Sequence, residues 1–247
     1  MLKTSKNYKV YEIVLLDIIK EAKNTYTYIF TKPDGLNWDE GAHTHLALNH
    51  FDEEMGWWEK KNVRHFSICS LADEETLRMT TRLPDLCTDF KQELKTSKKG
   101  DLFYLFKVGS RLTLRREERP IIFLSAGVGI ATIRPLVRKF IHHTEGIEKV
   151  ISLNVDSSKE YLFFSEMKEY MKQESCFKQT YVESREGFYK ELDQLLEEDK
   201  TLDQGVFYIV GGDEFIIQVH RVLSEKGILI QQMVFDKKEE FYLENFS

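Results

Sequence analysis

Proline is scarce in this 247-residue chain, at four residues, and cysteine scarcer still, at three. Cys69, Cys87 and Cys176 are odd in number and widely spaced, which excludes a disulfide framework and any four-thiolate zinc or iron-sulfur site built within the chain. Long apolar runs are missing too. The first, Ile13 to Leu16, stops at Asp17, too short for a signal-peptide core or a membrane span, so the chain is expected in the cytosol. There is no basic excess: 35 Lys and Arg face 41 Asp and Glu, a net charge of -6. That argues against nucleic acid as a partner, because phosphate binding needs a basic face. No low-complexity tract or internal repeat is present.

What is present is an ordinary globular composition, 42% hydrophobic and 31% charged, with length for two domains of about 120 residues. Charge divides unevenly. Residues 1–116 carry 19 Lys and Arg against 17 Asp and Glu, and the remainder 16 against 24. Two differently surfaced domains are expected, with the boundary at residues 117/118.

The two halves differ in periodicity. The first carries alternating, β-rich runs at "YKVYEIVLLDI", "TYTYIFTK", "THLALNHF", "RHFSICS", "TLRMTTRL" and "DLFYLFKVG", with "RLTL" closing the series. Six or seven short strands imply an antiparallel barrel or sandwich. One helix interrupts them at "TDFKQELKTS", with Thr88 or Asp89 as N-cap. In the second half, strand-like and helix-like segments alternate from "IIFLSAG" to "IQQMVF". This predicts a doubly wound parallel α/β sheet, whose ligand site lies at the carboxyl ends of its strands.

Three stretches carry candidate chemistry. In "RHFSICS", period-two alternation puts Arg64, Phe66, Ile68 and Ser70 on one face and His65, Ser67 and Cys69 on the other. Taken alone, an arginine beside an aromatic ring also fits a cation-π pair on a sheet surface. "SAGVGIAT" closes a strand and opens a helix. Gly127 and Gly129 permit a tight turn and close approach of a pyrophosphate to the helix N-terminus, with Ile130, Ala131 and Thr132 beginning the helix. Gly211 and Gly212 end the fourth strand before a helix that starts at Asp213. His43 and His45 share a strand face, but no carboxylate or cysteine stands beside them in sequence. They read as barrel-rim histidines, and no metal site is expected. His142 and His143 end a helix and read as surface. The aromatic tail "EEFYLENFS" fits either capping of a bound ring or packing on the sheet, and packing is the preferred reading.

Together these features resemble the ferredoxin-NADP reductase family of flavin enzymes over nearly the full length. "RHFSICS" is similar to the family's Arg-x-Tyr-Ser-x-x-Ser flavin motif, "GVGIAT" to its Gly-x-Gly-x-x-Pro loop, and "YIVGGDEF" to its nicotinamide loop. The resemblance implies a Greek-key β-barrel flavin domain followed by an NAD(P)-binding α/β domain. It implies Arg64 on a flavin pyrophosphate, Phe66 and His65 along the flavin, and Ser67 near flavin N5 as the catalytic hydroxyl. The helix at Thr88, Phe90 and Lys91 would be a second phosphate element, which favours FAD. The nicotinamide dinucleotide would lie on the two glycine loops.

Ser184 and Arg185 fall where NADPH-using members clamp the 2′-phosphate, whereas Asp156, at the end of the second strand, would favour the ribose hydroxyls of NADH. NADPH is the preferred reading. The implied activity is hydride transfer from NAD(P)H to FAD and onward transfer to an acceptor, such as a small redox protein, free flavin or a ferric chelate. Thr132, Val210 and Gly212 depart from the family pattern, and they motivate the alternative of a flavin-binding sensor with little turnover.

Overall fold

The computed structural model describes residues 9–49 and 62–237. The C-terminal aromatic tail lies outside the described residues. Two compact units are resolved: Met1–Lys20 with Asn24–Ser110, and Glu21–Lys23 with Arg111–Ser247.

The first unit is one six-stranded antiparallel sheet closing on itself. Its strands are β1 (Tyr11–Ala22), β2 (Thr25–Thr31), β3 (Ala42–Ala47), β4 (Val63–Ser67), β5 (Thr76–Arg82) and β6 (Leu102–Ser110), in the order β4-β3-β6-β1-β2-β5. The ends approach where the Cys69 amide donates to the Arg78 carbonyl at 2.9 Å. Placing β6 between β3 and β1 gives the over-and-back connectivity of a Greek-key barrel.

Alternation drives the closure. Ile13 and Leu15 of β1, Tyr28 and Phe30 of β2, and Leu77 and Met79 of β5 turn inward to one core. Thr27 and Thr80, directly opposite on β2 and β5, share a hydroxyl hydrogen bond of 2.7 Å. Helix α1 (Asp89–Thr96) closes the barrel by inserting Phe90 and Leu94.

The second unit is a five-stranded parallel sheet in the order β11-β10-β7-β8-β9. Its strands are β7 (Arg119–Ala126), β8 (Ile147–Val155), β9 (Phe177–Val182), β10 (Val206–Val210) and β11 (Met233–Phe235). Helices α2 (Ile130–His142) and α3 (Phe164–Gln173) bury Ile133, Leu136, Phe140 and Met167 on one face. Helices α4 (Arg185–Glu198) and α5 (Asp213–Glu225) bury Phe188, Leu192, Phe215 and Val219 on the other. Every strand and helix expected in this half is present. The order reverses about β7, which creates a crevice at the carboxyl ends of β7 and β10.

One expected strand is absent. "RLTL" forms no strand, and Leu112 and Leu114 are buried in the α2-α3 core layer of the second unit. Tyr208 of β10 holds the segment, its hydroxyl donating to the Thr113 carbonyl at 2.8 Å and accepting the Arg115 amide at 2.8 Å. The units therefore divide at Ser110/Arg111 rather than at residues 117/118. Among the described residues no helix is long and apolar enough to cross a membrane.

Candidate functional site

On the barrel, strand β4 presents its two faces as period-two alternation requires. Arg64 lies over the Phe90 ring at 5.6 Å, and Phe66 meets the same ring at 6.0 Å. Both therefore face the start of α1. Phe66 is only 7% exposed, packed in the barrel core, so at most an edge of its ring reaches a ligand. The Phe90 side chain is fully buried and forms the floor under Arg64. Ser67 is half-buried on the opposite face, beside exposed His65.

Cations gather where α1 begins. Lys91 Nζ donates to the Arg82 carbonyl at 2.7 Å, and Arg82 Nε donates to Thr25 Oγ1 at 3.4 Å. Burial pushes the Lys91 pKa down, and the positive charges of Arg64 and Arg82 push it further, against an opposing pull from Cys87. Three partly buried cations repel one another, and an anion placed among them relieves that repulsion. Thr88, the exposed N-cap, makes no side-chain capping bond. This donor set fits a diphosphate. Arg82 escaped sequence reasoning, although its even spacing from Arg78 and Thr80 along β5 marked it as sharing their face.

The cavity lined by Ile18, Asn24, Tyr26, Tyr28, Leu83, Asp85 and Lys95, of about 280 Å³, falls below the usual range for a drug-sized ligand and is too small for a dinucleotide.

In the second unit the loop from β7 to α2 is a single 3-10 turn, Gly127–Gly129. Gly127 has a left-handed φ of 54°, which a side chain would oppose. At Gly129 an added Cβ would stand 2.8 Å from the Val210 carbonyl oxygen, so glycine lets this loop lie against the end of β10. Asn154 Nδ2 donates to Ser125 Oγ at 2.9 Å and to the Gly127 carbonyl at 3.4 Å, fixing the turn from the neighbouring strand. An asparagine inside the apolar run "KVISLNV" was the available signal for it. Helix α2 has no side-chain N-cap and no acid in its first turn, which leaves its positive end uncompensated. Ile130, Ala131 and Thr132 are buried, while Gly127, Val128 and Gly129 are half-buried. The amphipathic α2 turns its first residues into the core.

Residues around the strand ends divide into groups. Asp156 is 4% exposed, and its carboxylate accepts the Ser158 amide at 2.9 Å. Lys159 pairs with Glu183 at 2.6 Å. Ser184 caps α4, accepting the Gly187 amide at 3.0 Å, while exposed Arg185 stacks over Phe215 at 4.4 Å. An added Cβ at Gly211 would meet that same Phe215 ring at 2.5 Å. Arg185 thus stands beside the Gly211-Gly212 turn through their shared contact with Phe215. Gly212 is the open N-cap of α5, and Asp213 pairs with Lys237. Val210, at the position of the family's nicotinamide-loop cysteine, is 3% exposed and adds no reactive group to the surface. Among the described residues no cluster is fit to hold a metal ion.

No family model matches the chain, and no curated protein does. Solved structures do match. The ferredoxin-NADP+ reductase from Plasmodium falciparum is similar over 95% of this chain and 98% of its own, with TM-score 0.76 at 17% identity. A ferredoxin NADP+ reductase from Neisseria gonorrhoeae, solved with bound FAD and NADP, matches over 92% and 98%, with TM-score 0.74 at 17% identity. The FAD/NAD-binding domain of nitric oxide dioxygenase from Vibrio cholerae O1 biovar El Tor matches over 91% and 97%, with TM-score 0.72 at 18% identity. The fold is thus that of the ferredoxin-NADP+ reductase-like FAD/NAD-binding proteins.

Proposed function

We propose that this chain is a cytoplasmic flavoprotein oxidoreductase that holds FAD on its barrel unit, takes hydride from NADPH or NADH bound to its α/β unit, and passes electrons to an acceptor. The observation that carries this reading is the cluster of Arg64, Arg82 and Lys91 around the uncapped start of α1, on a fold whose solved examples include one with bound FAD and NADP.

Arg64 offers a planar fork to the flavin diphosphate, and Lys91 and Arg82 neutralise its charge. Thr88 and the first amides of α1 orient it. Ser67 supplies a hydroxyl to the reacting edge of the flavin, and His65 lies beside it. The flavin, once bound, accepts hydride at N5 and returns electrons one or two at a time. On the second unit Gly127 and Gly129 receive the dinucleotide diphosphate, with Gly211, Gly212 and Asp213 on the nicotinamide side. Ser184 and Arg185 stand for the 2′-phosphate. The burial of Asp156 and its bond to the Ser158 amide support NADPH over NADH, because they leave its carboxylate little exposed to pair with ribose hydroxyls. Small redox proteins, free flavin and ferric chelates are the acceptor classes to assay.

Titration of the flavin-free protein with FAD, followed by fluorescence quenching, tests the assignment. One FAD per chain is expected. No binding, with FMN no better, overturns it.

The second reading is a flavin-binding sensor with little turnover. Buried Val210 favours it, since it adds no reactive group beside the nicotinamide turn.

A further inference from the structure

We propose that Phe215 is a positioning residue for the choice between NADPH and NADH: its ring holds the Arg185 guanidinium where the 2′-phosphate arrives. This rests on the NADPH reading above and deepens it.

Packing supplies the first observation. Arg185 opens α4 and Phe215 lies in the first turn of α5, and these two helices cover the same face of the sheet. The guanidinium carbon stands 4.4 Å from the centre of the Phe215 ring. A cation over a ring face is attracted by the ring quadrupole. The ring itself is fixed. It is fully buried, it meets Phe188 edge-on at 5.2 Å, and a Cβ added at Gly211 would stand 2.5 Å from it. Glycine in that turn is what lets the ring lie there.

The polar surroundings supply the second. Tyr189 follows Arg185 by four positions, on the same side of α4. Its hydroxyl donates to Gln218 Oε1 at 3.1 Å, which leaves the oxygen lone pairs for a donor. Arg185 is that donor: the Tyr189 pKa is raised by burial, and the charge of Arg185 and its hydrogen bond oppose the rise. Neighbouring cations are tied to carboxylates, Lys159 to Glu183, Lys237 to Asp213 and Arg221 to Glu225. Among the described residues Arg185 forms no ion pair.

An arginine held by stacking differs from one held by a carboxylate. Stacking occupies the face of the guanidinium and leaves N-H groups along its edge for an incoming anion. A side chain already ordered also loses fewer rotamers when the phosphate binds. Phe215, with no exposed surface, thus acts on the 2′-phosphate through Arg185.

Three measurements on the full chain test this. Calorimetric titration with 2′,5′-ADP and with 5′-AMP isolates the 2′-phosphate, because the second nucleotide lacks it and reports the remainder of the site. Wild type should bind 2′,5′-ADP at least about 10-fold more tightly. Phe215→Met, or Phe215→Leu should the first variant misfold, keeps an apolar side chain but removes the ring face. It should lower that ratio at least about 3-fold. In an Arg185→Ala background the same substitution should leave the ratio unchanged. The third measurement needs no change at Phe215. The Arg185 Nε-H resonance, assigned by its loss in Arg185→Lys, should show the same order parameter before and after 2′,5′-ADP binds.

A smaller drop in the ratio, an equal drop in the Arg185→Ala background, or a guanidinium that orders only when the nucleotide binds overturns the positioning role alone. A wild type that binds the two nucleotides alike overturns the NADPH reading, and the positioning role with it.

Discussion

At the scale of single residues, the account turns on Arg64 and Lys91. Arg64→Ala removes one charge-assisted diphosphate contact, at a cost of about 1.5–3 kcal/mol, or roughly 10- to 150-fold in FAD affinity. An unchanged dissociation constant in a fluorescence titration would remove Arg64 from the site. Lys91 gives a pH signature. Its pKa in the free protein is depressed by burial and by Arg64 and Arg82, and a bound diphosphate raises it. Binding therefore takes up protons between the free and bound values. FAD affinity should stay level below the free pKa and fall as pH rises above it, and Lys91→Arg should flatten that fall. A wild-type affinity independent of alkaline pH would contradict the assignment. The face of β4 that carries Arg64 was legible in the sequence, because period-two alternation leaves two choices. The depth of Phe66 was not, since it depends on Phe90, which arrives from a helix 24 positions onward.

At the scale of elements, the loops between strand and helix carry the strain tests. Gly129→Ala drives a methyl group into the Val210 carbonyl and should destabilise the second unit by about 1–3 kcal/mol. Gly212→Ala meets nothing within 4 Å and should change stability by no more than about 0.5 kcal/mol. Denaturant unfolding of both variants checks the contrast, and equal losses would mean that the close approach at Gly129 does not govern this loop. Strands and helices of the α/β half were legible because their periods switch cleanly from two to 3.6 and the glycines fall between them. "RLTL" misled because its alternation also suits an extended segment packing on a helix layer, and Tyr208, which holds it, lies nearly a hundred residues away. The Asx turn of Asp156 was foreshadowed by the serines after it. The stacking of Arg185 on Phe215 was not, because nothing local joins α4 to α5.

At the scale of the whole molecule, kinetics read the choice of nicotinamide cofactor and the occurrence of turnover. Arg185→Ala should raise the KM for NADPH about 10-fold or more, through loss of roughly 1.5–3 kcal/mol of phosphate contact, while leaving the KM for NADH nearly unchanged. Equal effects on both, or a wild type that prefers NADH tenfold, would shift the assignment to NADH. The central claim, that hydride passes from a nicotinamide to a flavin held by this chain, is tested most directly by one experiment. FAD-loaded protein is mixed with NADPH, and separately with NADH, in the absence of oxygen. Bleaching of the flavin absorption band within seconds is the predicted result. A yellow colour that persists for minutes with both cofactors would contradict it and leave the sensor reading in its place.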